Sequence, residues 1–155
     1  MSTGWYIVIR ILTIVTKILL LGNKNILWRG DITTLGIDAI VNAANTTLLG
    51  GGGIDGAIHS KAGPNLLEEC RRLRGCEVGQ AKLTSAYKLP CKYIIHTVGP
   101  QDQNPAALAS CYKECMKLAM AHNIRSLCFF CIATGVYGYP NDQAAEIAIK
   151  TIYDM

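Results

Sequence analysis

From residue 25 onward, short apolar runs alternate with longer stretches of helical periodicity. The runs at 25–29, 39–42, 81–86, 92–97 and 126–131 have the length and composition of strands, whereas about 54–61, 65–73, 105–122 and 141–153 read as helices. This alternation predicts an α/β layer fold, with helices over a buried sheet. Pro64 and Gly75 punctuate the first two helices, and Asn141 and Asp142 after Pro140 predict a capped start for the last. With no internal repeat, linker or low-complexity stretch, the body is one domain.

The N-terminal pattern is different. Residues 5–21, WYIVIRILTIVTKILLL, are almost wholly apolar, but Arg10 and Lys17 interrupt a run already short for a membrane span of ~20 residues. Ile or Val at 7, 8, 9, 11, 14, 15 and 18 favours buried strand over helix. Gly22-Asn23-Lys24-Asn25 reads as a turn, which predicts that 18–21 fold back antiparallel on 26–29. The expected division is thus 1–24, an apolar extension able to supply an extra strand, and 25–155, the domain proper.

Composition narrows the partners more than the fold. A chain of 155 residues, 50% hydrophobic and 17% charged, has room for one sizeable core. A net charge of +4 tolerates an anionic partner but lacks the dense basic stripe of a duplex binder. The cluster Arg71, Arg72 and Arg74 has no interleaved aromatic platform, so it reads as a solvated face and no specific nucleic acid is expected. Seven cysteines form no disulfide framework, and no small-x-small cleavage site follows the apolar start. A reducing compartment, cytoplasmic or nuclear, is expected, with organelle or membrane association through 5–21 as the alternative. Cys128 and Cys131 match CxxC but lie on an apolar strand, which predicts buried packing, and Cys111 with Cys115 makes a poor zinc site. Neither a metal nor another cofactor is expected, and the chain reads as a monomer.

Chemistry concentrates in two glycine-bearing loops. Gly50 to Gly53 link a strand end to a helix start, where bare backbone N–H groups are offered to a phosphate. The stretch 133–140, ATGVYGYP, repeats that character after the strand at 126–131. Neither is a GxGxxG or GxxxxGK[ST] pattern, so a Rossmann site or a triphosphatase loop is not supported. Asn42 and Asn45 end the strand before the first loop, and Asp55 and His59 lie four apart on one helix face. An amide gives both donor and acceptor to ribose hydroxyls, and a carboxylate accepts from a hydroxyl or a water. His96, mid-strand, is expected to be structural, and His122 to complement a helix dipole.

GDIT at 30–33, DAIVNAAN at 38–45, LLGGGGIDGAIH at 48–59, AGP at 62–64, IIHTVGP at 94–100 and ATGVYGYP at 133–140 resemble the macrodomains of the MacroD type. The resemblance spans 25 to about 153. It implies a three-layer fold, a mixed twisted sheet with helices on both faces. It further implies binding of ADP-ribose or ADP-ribosylated proteins, with hydrolysis of ADP-ribosyl esters on acidic residues, deacetylation of O-acetyl-ADP-ribose, or both. The competing reading is a reader module that binds without turnover. By the resemblance, Asp31 and the backbone of Ile32 meet adenine. The loop Gly51, Gly52, Gly53 and Ile54 encloses the diphosphate together with Thr134, Gly135, Val136 and Tyr137, and Asn42 and Asn45 hold the distal ribose. Asn45, Asp55 and His59 form the catalytic set, Asp55 acting on a water. Two departures stand out: a short loop at 101–109, and a chain that stops at Met155 where the family continues into one more strand and helix. That strand lies between the first strand and 126–131, so either 5–21 takes its place or the leader is unrelated and the domain only marginally stable.

Overall fold

The structure is a computed structural model that describes residues 3–10 and 24–155. Among the described residues six strands form one sheet: β1 (Thr3–Arg10), β2 (Lys24–Asp31), β3 (Ala39–Ala43), β4 (Ala81–Ser85), β5 (Tyr93–Thr97) and β6 (Ser126–Phe129). Four helices cover it: α1 (Gly53–Ala62), α2 (Pro64–Leu73), α3 (Pro105–Ala121) and α4 (Asn141–Tyr153). The strand order is β2-β1-β6-β3-β5-β4. β3 runs parallel to β5 and β6, while β1 is antiparallel to both β2 and β6, and β4 to β5. The carboxyl ends of β2, β3, β5 and β6 therefore share one edge of the sheet.

Side chains alternate across a strand, so each central strand feeds two cores. Ala39 and Val41 of β3, Ile95 of β5 and Phe129 of β6 pack with α3 and α4. Ile40, Ile94 and Cys128, one residue out of phase, pack with α1 and α2. Ile40, Ile94, Ile95 and Phe129 have no solvent exposure. Each such side chain contributes about 1.5–3 kcal/mol by leaving water. The three-layer arrangement expected of the sequence is present.

The starts of β3 and β6 are tied by Asp38. Its Oδ2 accepts from the backbone N–H groups of Arg125 and Ser126 at 2.8 and 3.2 Å, and its own N–H donates to Ser126 Oγ at 2.9 Å. Burial pushes the Asp38 carboxyl up, but those two N–H groups and Lys92 outweigh it and hold the carboxyl below its ordinary value. This clamp sets the register of the two strands whose far ends carry the glycine loops.

Element boundaries match the sequence reading to within a residue or two, with instructive exceptions. Ile26 to Arg29 pair with the first apolar strand, Val8 opposite Ile26 and Trp5 opposite Arg29. Residues 11–23, with the rest of the proposed hairpin, lie outside the described residues. Lys24 and Asn25 belong to β2 and not to a turn. β1 pairs with β2 over eight positions and with β6 over four, Ile7 opposite Phe129 to Arg10 opposite Ser126. Among the described residues no helix is long and apolar enough to cross a membrane. β6 ends at Phe129, so Cys131, expected inside a packed strand, is exposed beyond its end, while Cys128 is buried. α4 starts after Pro140 without a side-chain cap, leaving Asp142 to act there through charge alone. α3 begins at Pro105, its first turn capped by Asn104, which shortens the loop expected at 101–109. His122 closes α3, Nδ1 3.0 Å from the Leu118 carbonyl, in keeping with its expected place.

Candidate active site

β3 and β6 are adjacent and parallel, yet β3 leads into α1 on one face of the sheet and β6 into α4 on the other. Such a reversal opens a crevice outside the carboxyl ends of the strands, the usual ligand position in α/β sheets. Both glycine loops border this crevice. Asp31, ending β2, stands on the same edge. Its Oδ1 accepts from Thr33 N and Thr33 Oγ1 at 3.0 and 2.7 Å, while Ile32 is buried in the core under α1. The Thr33 hydroxyl lowers the Asp31 carboxyl below its ordinary value, against a smaller upward push from burial.

The first loop is shaped by its own residues. Asn45 donates from Nδ2 to the Gly50 carbonyl at 3.0 Å and accepts at Oδ1 from Thr47 N and Thr47 Oγ1 at 3.1 and 2.6 Å. Most of the Asn45 amide is thus used to hold the loop, leaving one N–H for anything beyond it. Gly53 opens α1 with φ +58, a left-handed conformation that favours glycine. Gly52 differs: its φ is −92 and a Cβ there would meet nothing within 4 Å. Neither backbone conformation nor crowding thus requires a glycine at position 52. Gly56, one turn into α1, is required for contact: a Cβ would lie 2.5 Å from the Gly51 carbonyl oxygen.

Asp55 sits in the first turn of α1 and is 5% exposed. Its Oδ1 accepts from Asn42 Nδ2 at 2.9 Å, and His59 Nε2 stands 3.4 Å from the same oxygen without hydrogen-bond alignment. Burial raises the Asp55 carboxyl above its ordinary value; the Asn42 hydrogen bond and nearby His59 oppose that push without reversing it. A carboxylate adjusted in this direction is a better proton acceptor. The Gly51 backbone approaches so closely that a Cβ there would fall 3.1 Å from Asp55 Oδ2. A cavity of about 420 Å³ bordered by Leu49, Gly50, His59, Pro64 and Leu67 gives the imidazole an open side.

Asn42 is fully buried, and its amide nitrogen also lies 3.1 Å from His96 Nδ1. Both contacts of the Asn42 amide nitrogen lie inside the protein, and its Oδ1 is buried without a hydrogen-bond partner among the described residues. His59 Nε2 is the other buried atom without a partner among the described residues. His96, expected to be structural, also has its Nε2 2.9 Å from Oγ1 of Thr84, a residue the sequence alone does not single out. A signal was available: Asn42 and His96 are each the fourth residue of a five-residue, otherwise mostly apolar strand, and they face each other in the β3–β5 register.

The second loop leaves β6 through buried Ile132 and Ala133 and returns through buried Tyr139, whose N–H donates to the Ala133 carbonyl at 2.9 Å. Between them Thr134 to Gly138 stand at the crevice edge, Val136 fully exposed and Tyr137 half-buried. The Thr134 hydroxyl donates to the Cys131 carbonyl at 2.8 Å, and Gly138 N–H to Gly135 at 3.0 Å, closing a compact turn. Among the described residues no three His, Cys, Asp or Glu side chains gather to hold a metal ion.

Comparison with known proteins agrees with this architecture. The Macro domain family model matches residues 41–148. The chain is 57% identical over 138 residues to human ADP-ribose glycohydrolase MACROD2, covering 85% of this chain and 32% of that protein. It is 57% identical over 129 residues to the Macro domain-containing protein RSc0334 of Ralstonia nicotianae, covering 80% and 75%. The Trypanosoma brucei macrodomain in complex with ADP-ribose superposes with a TM-score of 0.77 at 47% identity, covering 83% of this chain and 57% of that one. The chain spans about a third of the length of the MACROD2 relatives it matches. By its strand order, its crevice and these similarities, the chain belongs to the macro domain family.

Proposed function

We propose that this chain binds ADP-ribose in the crevice between the β3 and β6 loops and hydrolyses ADP-ribosyl esters on acidic side chains, O-acetyl-ADP-ribose, or both. The observation that carries the reading is Asp55: a carboxylate 5% exposed, raised by burial, held by Asn42 and set beside His59 at the mouth of a glycine loop. A buried carboxylate with one hydrogen-bond donor and one imidazole in reach is costly for stability, and such groups gather where proton transfer is done.

In this reading the diphosphate lies against Gly51, Gly52, Gly53 and Ile54 on one side and Thr134, Gly135, Val136 and Tyr137 on the other. The positive end of the α1 dipole faces it. Asp31 and the backbone of Ile32 meet adenine on the same sheet edge. Asn42 Oδ1 accepts from a distal ribose hydroxyl, and the remaining N–H of Asn45 donates to the same sugar. Asp55 then takes a proton from the attacking water as its oxygen bonds to carbon: attack at the anomeric carbon breaks the bond to the acceptor's carboxylate, attack at the acyl carbon breaks the bond to the ribose oxygen, and the proton passes to the oxygen that departs. His59 keeps the Asp55 charge tolerable through the step. No metal is needed when a positioned base and backbone donors share the work.

Single-turnover release of ADP-ribose from an auto-modified acceptor, wild type against Asp55→Ala, tests the proposal. Release by the wild type and its loss in the variant are expected. Binding of ADP-ribose without release would instead select a reader module.

A further inference from the structure

β3 and β5 bring Asn42 and His96 side by side beneath α1, and β4 places Thr84 on the far side of the His96 ring. The direction of each hydrogen bond in this row is determined by chemistry. An amide nitrogen can only donate, so His96 Nδ1 accepts from Asn42 at 3.1 Å and the ring proton sits on Nε2. Nε2–H then donates to Thr84 Oγ1 at 2.9 Å, and the Thr84 hydroxyl donates onward to the Ser85 carbonyl at 3.0 Å. The row ends on a backbone oxygen, which has no alternative direction. His96 is fully buried, and that burial, with the nearby His59 adding to it, pushes its imidazole down to about 3, so it stays a neutral acceptor at working pH.

Asp55 alone cannot orient the Asn42 amide. An ionised carboxylate requires a donor, but once it has taken a proton it can itself donate, and the amide can then turn over. We propose that His96 is a positioning residue of this site: its Nδ1, held as an acceptor by the Thr84 hydroxyl behind it, fixes the Asn42 amide so that a donor faces Asp55 through both protonation states. Turning the amide would set Asn42 Oδ1 against the lone pair of His96 Nδ1 and take the N–H away from Asp55. His96 touches no substrate and acts through Asn42. The proposal rests on the hydrolase reading of Asp55 for its effect on rate, but its hydrogen-bond directions stand independently.

The test compares His96→Leu, His96→Asn, Thr84→Val and Thr84→Ser in the full chain. Single-turnover release of ADP-ribose, calorimetric affinity for free ADP-ribose and thermal unfolding are measured together. His96→Leu and Thr84→Val are expected to slow release about 10- to 100-fold, the scale of a misplaced catalytic group. Affinity should fall less than rate, by no more than about tenfold, because the glycine loops are untouched and only the one ribose hydrogen bond to Asn42 is at stake. His96→Asn, whose Oδ1 replaces Nδ1 as acceptor, and Thr84→Ser, which keeps the hydroxyl, should recover most of the rate. If His96→Leu does not fold, the Thr84 pair decides. Wild-type release by folded Thr84→Val, or losses of rate and affinity together that neither conservative variant recovers, overturns the proposal. Should the wild type release nothing, the hydrolase reading fails while nitrogen NMR of the imidazole still decides this one. A His96 Nε2–H tautomer supports it and an Nδ1–H tautomer refutes it.

Discussion

His96 makes the fold sensitive to acid in a calculable way. In the unfolded chain its imidazole titrates near 6.5, whereas in the fold burial lowers it to about 3. Between these values the unfolded state binds a proton that the folded state refuses, so stability falls as pH falls. The contribution is complete above 6.5 and is lost progressively toward 3. At pH 5 the unfolded group is almost wholly protonated and the folded one almost wholly neutral; 1.5 pH units at about 1.4 kcal/mol each gives a loss of about 2 kcal/mol relative to pH 8. For a domain of this size that corresponds to a fall of roughly 4–8 °C in Tm, or roughly 1 M in urea midpoint. The assay is urea unfolding of wild type and His96→Asn at pH 8, 6.5 and 5. Asparagine does not titrate, and every other carboxylate and histidine is common to both proteins. The wild type should therefore lose about 2 kcal/mol more than the variant between pH 8 and 5. Parallel curves would mean that His96 is reached by a proton in the fold, and the account of its burial would be wrong.

Asp55→Asn should abolish release of ADP-ribose yet stabilise the protein at pH 7 by about 1 kcal/mol. Because the folded carboxyl is raised, wild-type stability falls as pH climbs past the ordinary carboxylate range, and the neutral variant escapes this; a variant less stable than wild type at pH 7 would contradict it. Gly56→Ala gains helix propensity but puts a Cβ 2.5 Å from the Gly51 carbonyl, so chemical denaturation should show a loss of about 1–3 kcal/mol. Calorimetry should also show weakened ADP-ribose binding there, and a raised Tm would refute the collision. Asp38→Ala leaves the Arg125 and Ser126 N–H groups without their acceptor and should cost about 1 kcal/mol at pH 7. Since the Asp38 carboxyl is lowered, its stabilisation is lost as pH falls below the ordinary carboxylate value, and the gap to wild type should close toward pH 3.

The elements were legible because their periodicities are local: the alternation of Ala39, Ile40, Val41 and Asn42 between two cores, and the four-residue spacing of Asp55 and His59, need no knowledge of distant residues. The glycine loops were legible for the same reason. Pairing of the first apolar strand was not. A uniformly apolar run offers many registers of similar worth, and nothing local marks that Val8 meets Ile26. The partners of His96 were not legible, because they are 54 and 12 residues away and meet it only once β3, β4 and β5 are placed side by side.

The sheet separates two cores that share no helix, and each supports a different jaw of the crevice. Ile58 and Leu66 lie behind the jaw bearing Asp55, whereas Tyr112 lies behind the other, its hydroxyl accepting from Ile132 N–H at 3.3 Å. On the proposed reading, damage to the packing under α1 should therefore spoil turnover and binding together, while damage under α3 should weaken binding and leave the Asp55 chemistry intact, although both lesions lie far from solvent. Inherited or engineered core variants of this chain would sort into two phenotypes according to which side of one sheet they fall.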